Sequence, residues 1–158
     1  MSHSRYLSAV FWFCFLLTGY VYFLYPIILT RLSRFVARNY TKSRITPPIS
    51  IIISAYNEER SIARKIENTL SLDYPPELVE IIVGSDGSRD RTEEIVKSYR
   101  ERGVRLLAFP ENRGKTVVQN DCVREASHEI IVFMDAASMC ERGALRKLVS
   151  NFADSRVG

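Results

Sequence analysis

Ile49-Ser50-Ile51-Ile52-Ile53-Ser54-Ala55-Tyr56-Asn57-Glu58-Glu59 is an apolar, β-branched run that breaks abruptly into polar residues. Four isoleucines in five positions fit a strand buried on both faces, as in a parallel sheet covered by helices. The polar end then reads as a loop delivered to one edge of that sheet.

Downstream, the same unit repeats. Strand-like segments cover 49–54, 79–84, 104–109 and 129–134, and helical patterns cover 61–72, 92–102, 115–126 and 143–152. The expected inward faces carry Ile62, Ile66 and Thr69 or Leu70; Ile95, Val96 and Tyr99; Val117, Val118, Cys122 and Ala126; and Leu145, Leu148 and Phe152. Strands alternating with helices of this length imply an α/β fold with a mainly parallel sheet. The loops after the strands then gather at one edge, where such sheets bind ligands. Those loops are polar: Ala55 to Glu59, Ser85 to Asp90, Pro110 to Lys115 and Asp135 to Ser138. Each has a plain structural role available. Asn57 is a candidate helix cap, Asp90 with Glu93 a capping pair, Gly114 a turn glycine and Asp135 a turn cap. Their coincidence at successive strand ends favours a binding site.

Upstream, 23 residues from Leu7 to Leu29 carry no charge. That is enough for a membrane-spanning helix, which needs about 20. A cleaved signal peptide has a shorter apolar core and a small-residue cleavage site, and Tyr25-Pro26-Ile27-Ile28 is a poor one. A buried core helix is the remaining alternative. Arg31, Arg34, Arg38, Lys42 and Arg44 follow the run and only Arg5 precedes it, so the positive-inside rule puts the downstream part in the cytoplasm. Residues 32–40 read either as an amphipathic basic surface helix or as a solvated linker. The expected organisation is a transmembrane anchor over 1–30, a basic juxtamembrane tether over 31–48 and an α/β part over 49–158.

The formal charge of +4 belongs to this flank. Before Pro47 there are six basic residues and no acidic ones, which leaves 16 basic against 18 acidic beyond it. That balance argues against a nucleic-acid-binding face. Cys14, Cys122 and Cys140 have no metal-ligand spacing and fit free thiols in a reducing compartment. Gly114-Lys115-Thr116 copies the end of a P-loop, but Phe109 stands where that motif needs glycine. Gly84-Ser85-Asp86-Gly87 likewise fails to complete the dinucleotide-binding glycine pattern.

Residues 51–59, Glu80 to Thr92, Asn112 to Lys115 and Glu129 to Ser138 resemble, in order and spacing, the motifs of family 2 glycosyltransferases. The resemblance covers 48–158, and with the N-terminal anchor it is similar to the poly-N-acetylglucosamine and hyaluronan synthase branch. It implies the nucleotide-binding half of a glycosyltransferase A fold and an inverting transfer from a nucleotide sugar, typically a UDP-sugar, to a glycan or lipid acceptor. By this resemblance, Ala55, Tyr56 and Glu58 lie against the nucleoside, Asp86 accepts a hydrogen bond from the base, and Lys115 meets the diphosphate. A carboxylate facing an imide N–H selects uracil over cytosine. Asp135 opens the family's D-x-D motif, whose carboxylates hold ribose and Mg2+ or Mn2+. Here Ala137 replaces the second Asp and cannot ligate a metal, leaving Ser138 as a weak substitute, and Ser85 stands where many members carry an Asp. The family's general base lies in an acceptor-binding half, so no catalytic residue is assigned in this chain, and the chain alone is expected to be inactive. The alternative is a catalytically inactive, membrane-tethered nucleotide-binding or assembly module.

Overall fold

A computed structural model describes residues 2–36 and 42–157 of the chain. It divides into two compact units, Met1–Tyr40 and Thr41–Gly158.

The first unit is helical: α1 (Ser2–Gly19), a π-helical turn (Tyr20–Leu24) and α2 (Tyr25–Val36). The π turn sits just before Pro26, whose ring nitrogen has no hydrogen to continue an α ladder, and it closes with the Tyr25 N–H on the Tyr20 carbonyl. Thr18 and Thr30 turn their hydroxyls back onto the carbonyls of Cys14 and Pro26, at 2.8 and 2.7 Å. The segment Arg5–Phe35 spans 31 residues and contains an 18-residue stretch with a mean hydropathy of 1.9. At 1.5 Å per residue it reaches about 46 Å, more than the roughly 30 Å of a hydrocarbon core. It is long and apolar enough to cross a membrane. Helix persists through Val36, and the rest of the expected surface helix at 32–40 lies outside the described residues.

The second unit contains β1 (Ile49–Ala55), β2 (Val79–Asp86), β3 (Val104–Phe109) and β4 (Ile130–Asp135), with α3 (Ile62–Leu70), α4 (Thr92–Ser98), α5 (Lys115–Glu125) and α6 (Ala144–Val149). The strands form one sheet in the order β3-β2-β1-β4, parallel throughout. β1 is central and pairs Ile51 with Ile81 on one side and Val132 on the other. Its alternate side chains enter two cores. Ile49, Ile51, Ile53 and Ala55 pack with Ile62, Ile66, Val96, Leu145 and Val149, whereas Ile52 packs with Ile82, Val118 and Cys122 beneath α5. That double burial is why the strand reads as a continuous isoleucine run.

The chain winds outward through β1, β2 and β3, then crosses back by α5 to place β4 on the far side of β1. The direction of winding therefore switches between β1 and β4, and a crevice opens at such a point beyond the strands' carboxyl ends. The helical faces differ from expectation in detail. Val149 is buried and Leu148 is exposed in α6, and Val117 is exposed in α5. On α3, Lys65 joins the buried face.

Candidate functional site

A cleft of about 320 Å³ lies at that crevice. It is lined by Ser54, Ala55, Tyr56 and Glu58 from the end of β1, Asp86 from the end of β2, Lys115 from the start of α5, and Asp135, Ala136 and Ala137 from the end of β4. All six residues singled out from the sequence (Ala55, Tyr56, Glu58, Asp86, Lys115 and Asp135) thus line one cavity.

Asp86 is buried, and its two carboxylate oxygens accept the backbone N–H groups of Arg113 (2.7 Å) and Gly114 (2.9 Å). It thereby ties the end of β2 to the loop that starts α5. Gly114, at φ +90, turns the chain there in a conformation suited to glycine. Gly87, at φ +68, leaves no room for a side chain, because a Cβ would fall 2.5 Å from the Asn112 backbone nitrogen. Tyr56 is exposed and lines the cleft. Glu58 accepts the Ser61 hydroxyl through its carboxylate. Lys115 and Asp135 form an ion pair across the mouth, with side chains 56% and 61% exposed. An ion pair that exposed is worth about 0–1 kcal/mol, so it opens readily to a more highly charged ligand.

The two loops on the β1–β2 side are sewn together. The Asn57 N–H donates to Ser88 Oγ (3.1 Å), and Asn57 Oδ1 accepts the Arg89 N–H (2.8 Å). The Glu59 N–H donates to Asp90 (3.0 Å), and the Glu58 N–H to Thr92 Oγ1 (2.8 Å). Asn57 therefore does not cap α3. It sits at φ +53, the left-handed region that asparagine tolerates better than most residues, and bridges the loops instead. Asp90 accepts the Thr92 N–H as a cap would, but Glu93 turns away to the Ser85 hydroxyl, so no reciprocal capping pair forms. Asp135 pairs with Lys115 and does not cap its own turn; that turn is closed by the Ser138 N–H and hydroxyl on the Asp135 carbonyl. The Ser138 hydroxyl is thus engaged with backbone.

Sequence reasoning missed Lys65 and Asn68 on α3, which hold the backbone of the β4 loop through the Ser138 carbonyl (2.8 Å) and both backbone groups of Cys140 (2.8 and 3.0 Å). A lysine on the apolar stripe of α3 was the available signal.

Among the described residues, no three His, Cys, Asp or Glu side chains gather as a metal site. Asp135 is the single carboxylate that the end of β4 brings to the cleft, beside Ala136 and Ala137. That suits Mg2+ or Mn2+ only where phosphate oxygens complete the shell, a common arrangement for Mg2+.

A doubly wound α/β unit with a polar, ionisable cleft at its switch point is a nucleotide-binding type of architecture. The chain belongs to glycosyl transferase family 2, whose model matches residues 50–158. It is 30% identical over 105 residues to the poly-beta-1,6-N-acetyl-D-glucosamine synthase of Staphylococcus epidermidis, covering 66% of this chain and 25% of that protein. To the synthase of the same name from Staphylococcus aureus strain COL it is 31% identical over 112 residues, covering 70% and 27%. The chain thus spans about a quarter of the length of these curated relatives. Among solved structures it resembles the mannosyltransferase PcManGT from Pyrobaculum calidifontis in complex with GDP-Man and Mn2+. The TM-score is 0.77 and the identity 28%, over 89% of this chain and 43% of that one. It also resembles S. aureus TarS 1-349 in complex with UDP-GlcNAc, with a TM-score of 0.61 and 25% identity, over 65% and 30%.

Proposed function

We propose that this chain is the donor-binding part of a membrane-anchored, inverting glycosyltransferase that moves a sugar from a UDP-sugar to a glycan or lipid acceptor. The observation that carries the reading is the convergence of Tyr56, Asp86, Lys115 and Asp135 on one cleft at the sheet's switch point. The bound nucleotide sugars of PcManGT and TarS support it by analogy.

In this reading the exposed Tyr56 ring and Ala55 receive the base and ribose, with Glu58 beside them. Asp86 selects the base. Each of its oxygens has two lone pairs and spends one on a backbone N–H, which leaves an acceptor for an imide proton. Lys115 exchanges Asp135 for the diphosphate, and Asp135 turns to the ribose. Asp135 would also be the residue that holds Mg2+ or Mn2+ beside the diphosphate; such an ion, when bound, neutralises charge on the leaving diphosphate. Residues 1–30 anchor the protein, 31–48 form the basic tether, and 49–158 work on the cytoplasmic face.

Titration of the full chain in detergent with UDP, UDP-GlcNAc, CDP and GDP-Man, with and without Mn2+, tests this. Wild type is expected to prefer UDP ligands over CDP. Tyr56 stands free on the surface, so Tyr56→Ala should keep the fold and weaken UDP by about 1–3 kcal/mol through lost stacking. Lys115→Met should weaken UDP roughly tenfold while leaving uridine unchanged. Absence of binding by wild type, or equal binding by all forms, overturns the reading.

A further inference from the structure

Among the described residues, Lys65 is the largest fully buried side chain. Its neighbours on α3 are Ile62, Ile66 and Thr69, so the position belongs to the core stripe of the helix. Its ammonium donates to the Ser138 carbonyl at 2.8 Å. A methionine or leucine would fill the same space without taking a charge out of water, and one carbonyl bond does not offset that desolvation. Burial pulls the ammonium below the usual lysine range, opposed by its electrostatic interactions with Cys140 and Asp135. A cation kept at such a place needs a use beyond packing.

Asn68 lies one turn further along α3. Its amide nitrogen donates to the Cys140 carbonyl (3.0 Å), and its oxygen accepts the Cys140 N–H (2.8 Å). One helix thus makes three hydrogen bonds to the backbone of residues 138–140. This is the turn that follows Asp135 and forms the Ala136–Ala137 wall of the cleft. Neither Lys65 nor Asn68 lines the cleft itself, so both reach it through the turn.

We propose that Lys65 and Asn68 are positioning residues that clamp the 135–140 turn to α3 from beneath and so fix Asp135 beside Lys115 and Ala55. What the turn is held for rests on the donor-binding reading; that it is held does not.

The test uses the full chain in detergent, with Lys65→Met and Asn68→Ala. Asn68 is only half-buried, so its variant keeps the experiment readable if Lys65→Met does not fold. Hydrogen exchange is the first arm. Amides of residues 136–140 should exchange on the order of tenfold faster in both variants, while those of β1 and β2 stay as in wild type. Unchanged exchange in the turn overturns the clamp. Binding is the second arm. UDP should weaken roughly tenfold while uridine, held at the Tyr56 and Asp86 side, keeps its affinity. Equal weakening of both ligands marks a general loss of structure and overturns the positioning role. If wild type binds neither ligand, the donor reading fails, and the exchange arm alone decides the clamp.

Discussion

Asp86 both lines the cleft and ties the end of β2 to the loop that starts α5. Its place at the end of an apolar strand was legible, but its hold on Arg113 and Gly114 was not, because those partners lie 27 and 28 residues away. Glu80, near the opposite end of the same strand, opens a motif stretch, but its partners 30 and 47 residues away left no sequence signal. It accepts the Ser50 hydroxyl (2.6 Å) and the Ser127 N–H (2.8 Å) and hydroxyl (3.1 Å), and it faces Arg105 at 3.4 Å. Burial pushes its carboxyl up, but the Ser127 and Ser50 bonds and Arg105 together hold it below the usual range. A carboxylate with a depressed folded pKa stabilises fully above its unfolded value, near 4.3, and loses that contribution as pH falls through the folded value. Glu80→Gln should therefore cost about 1.5–3 kcal/mol at pH 7. In urea unfolding, the gap between wild type and variant should narrow as the pH drops below about 4. A gap that stays constant with pH would show that the ionised form is not what matters.

At the scale of elements, all four strands and four helices of the second unit stood out in the sequence, because a buried parallel sheet writes itself as β-branched runs separated by helical periods. Fine orientation did not. Periodicity placed Leu148 inward, yet Val149 packs there. The loop clasp around Asn57 was also invisible, since reciprocal bonds between loops more than 30 residues apart leave no local pattern. The packing of α5 on the sheet depends on Gly84. A Cβ at that position would fall 2.6 Å from Val118 Cγ1 and 2.7 Å from Cys122 Sγ. Valine's branched Cβ has little freedom to retreat. Gly84→Ala should thus destabilise the unit by about 1–3 kcal/mol through overpacking. Adding Val118→Ala should recover part of that loss, a non-additivity that a double-mutant cycle measures. Strict additivity would place the strain elsewhere.

At the scale of the molecule, the parallel sheet was legible but its lateral order was not, because periodicity reports which faces are buried and not which strands are neighbours. The order β3-β2-β1-β4 puts the switch between β1 and β4 and makes one cleft of loops from three strand ends. The family resemblance brought the six residues together on paper, whereas the topology explains why they meet. The proposed N-terminal anchor poses the remaining question, the side of the membrane that the proposed donor site faces. Arg31, Arg34, Arg38, Lys42 and Arg44 against Arg5 alone favour the cytoplasm. A cysteine at the exposed Ser155, in a chain whose Cys14, Cys122 and Cys140 are alanine, reports the answer. A membrane-impermeant maleimide should label it only after the cells are opened. Changing the five downstream basic residues to glutamine and adding lysines ahead of Leu7 should expose it in intact cells, since the bias of Lys and Arg, and not the apolar run, sets orientation. Labelling of the unaltered flank in intact cells would put the cleft outside, away from cytoplasmic nucleotide sugars, and the donor reading would then fail together with the orientation.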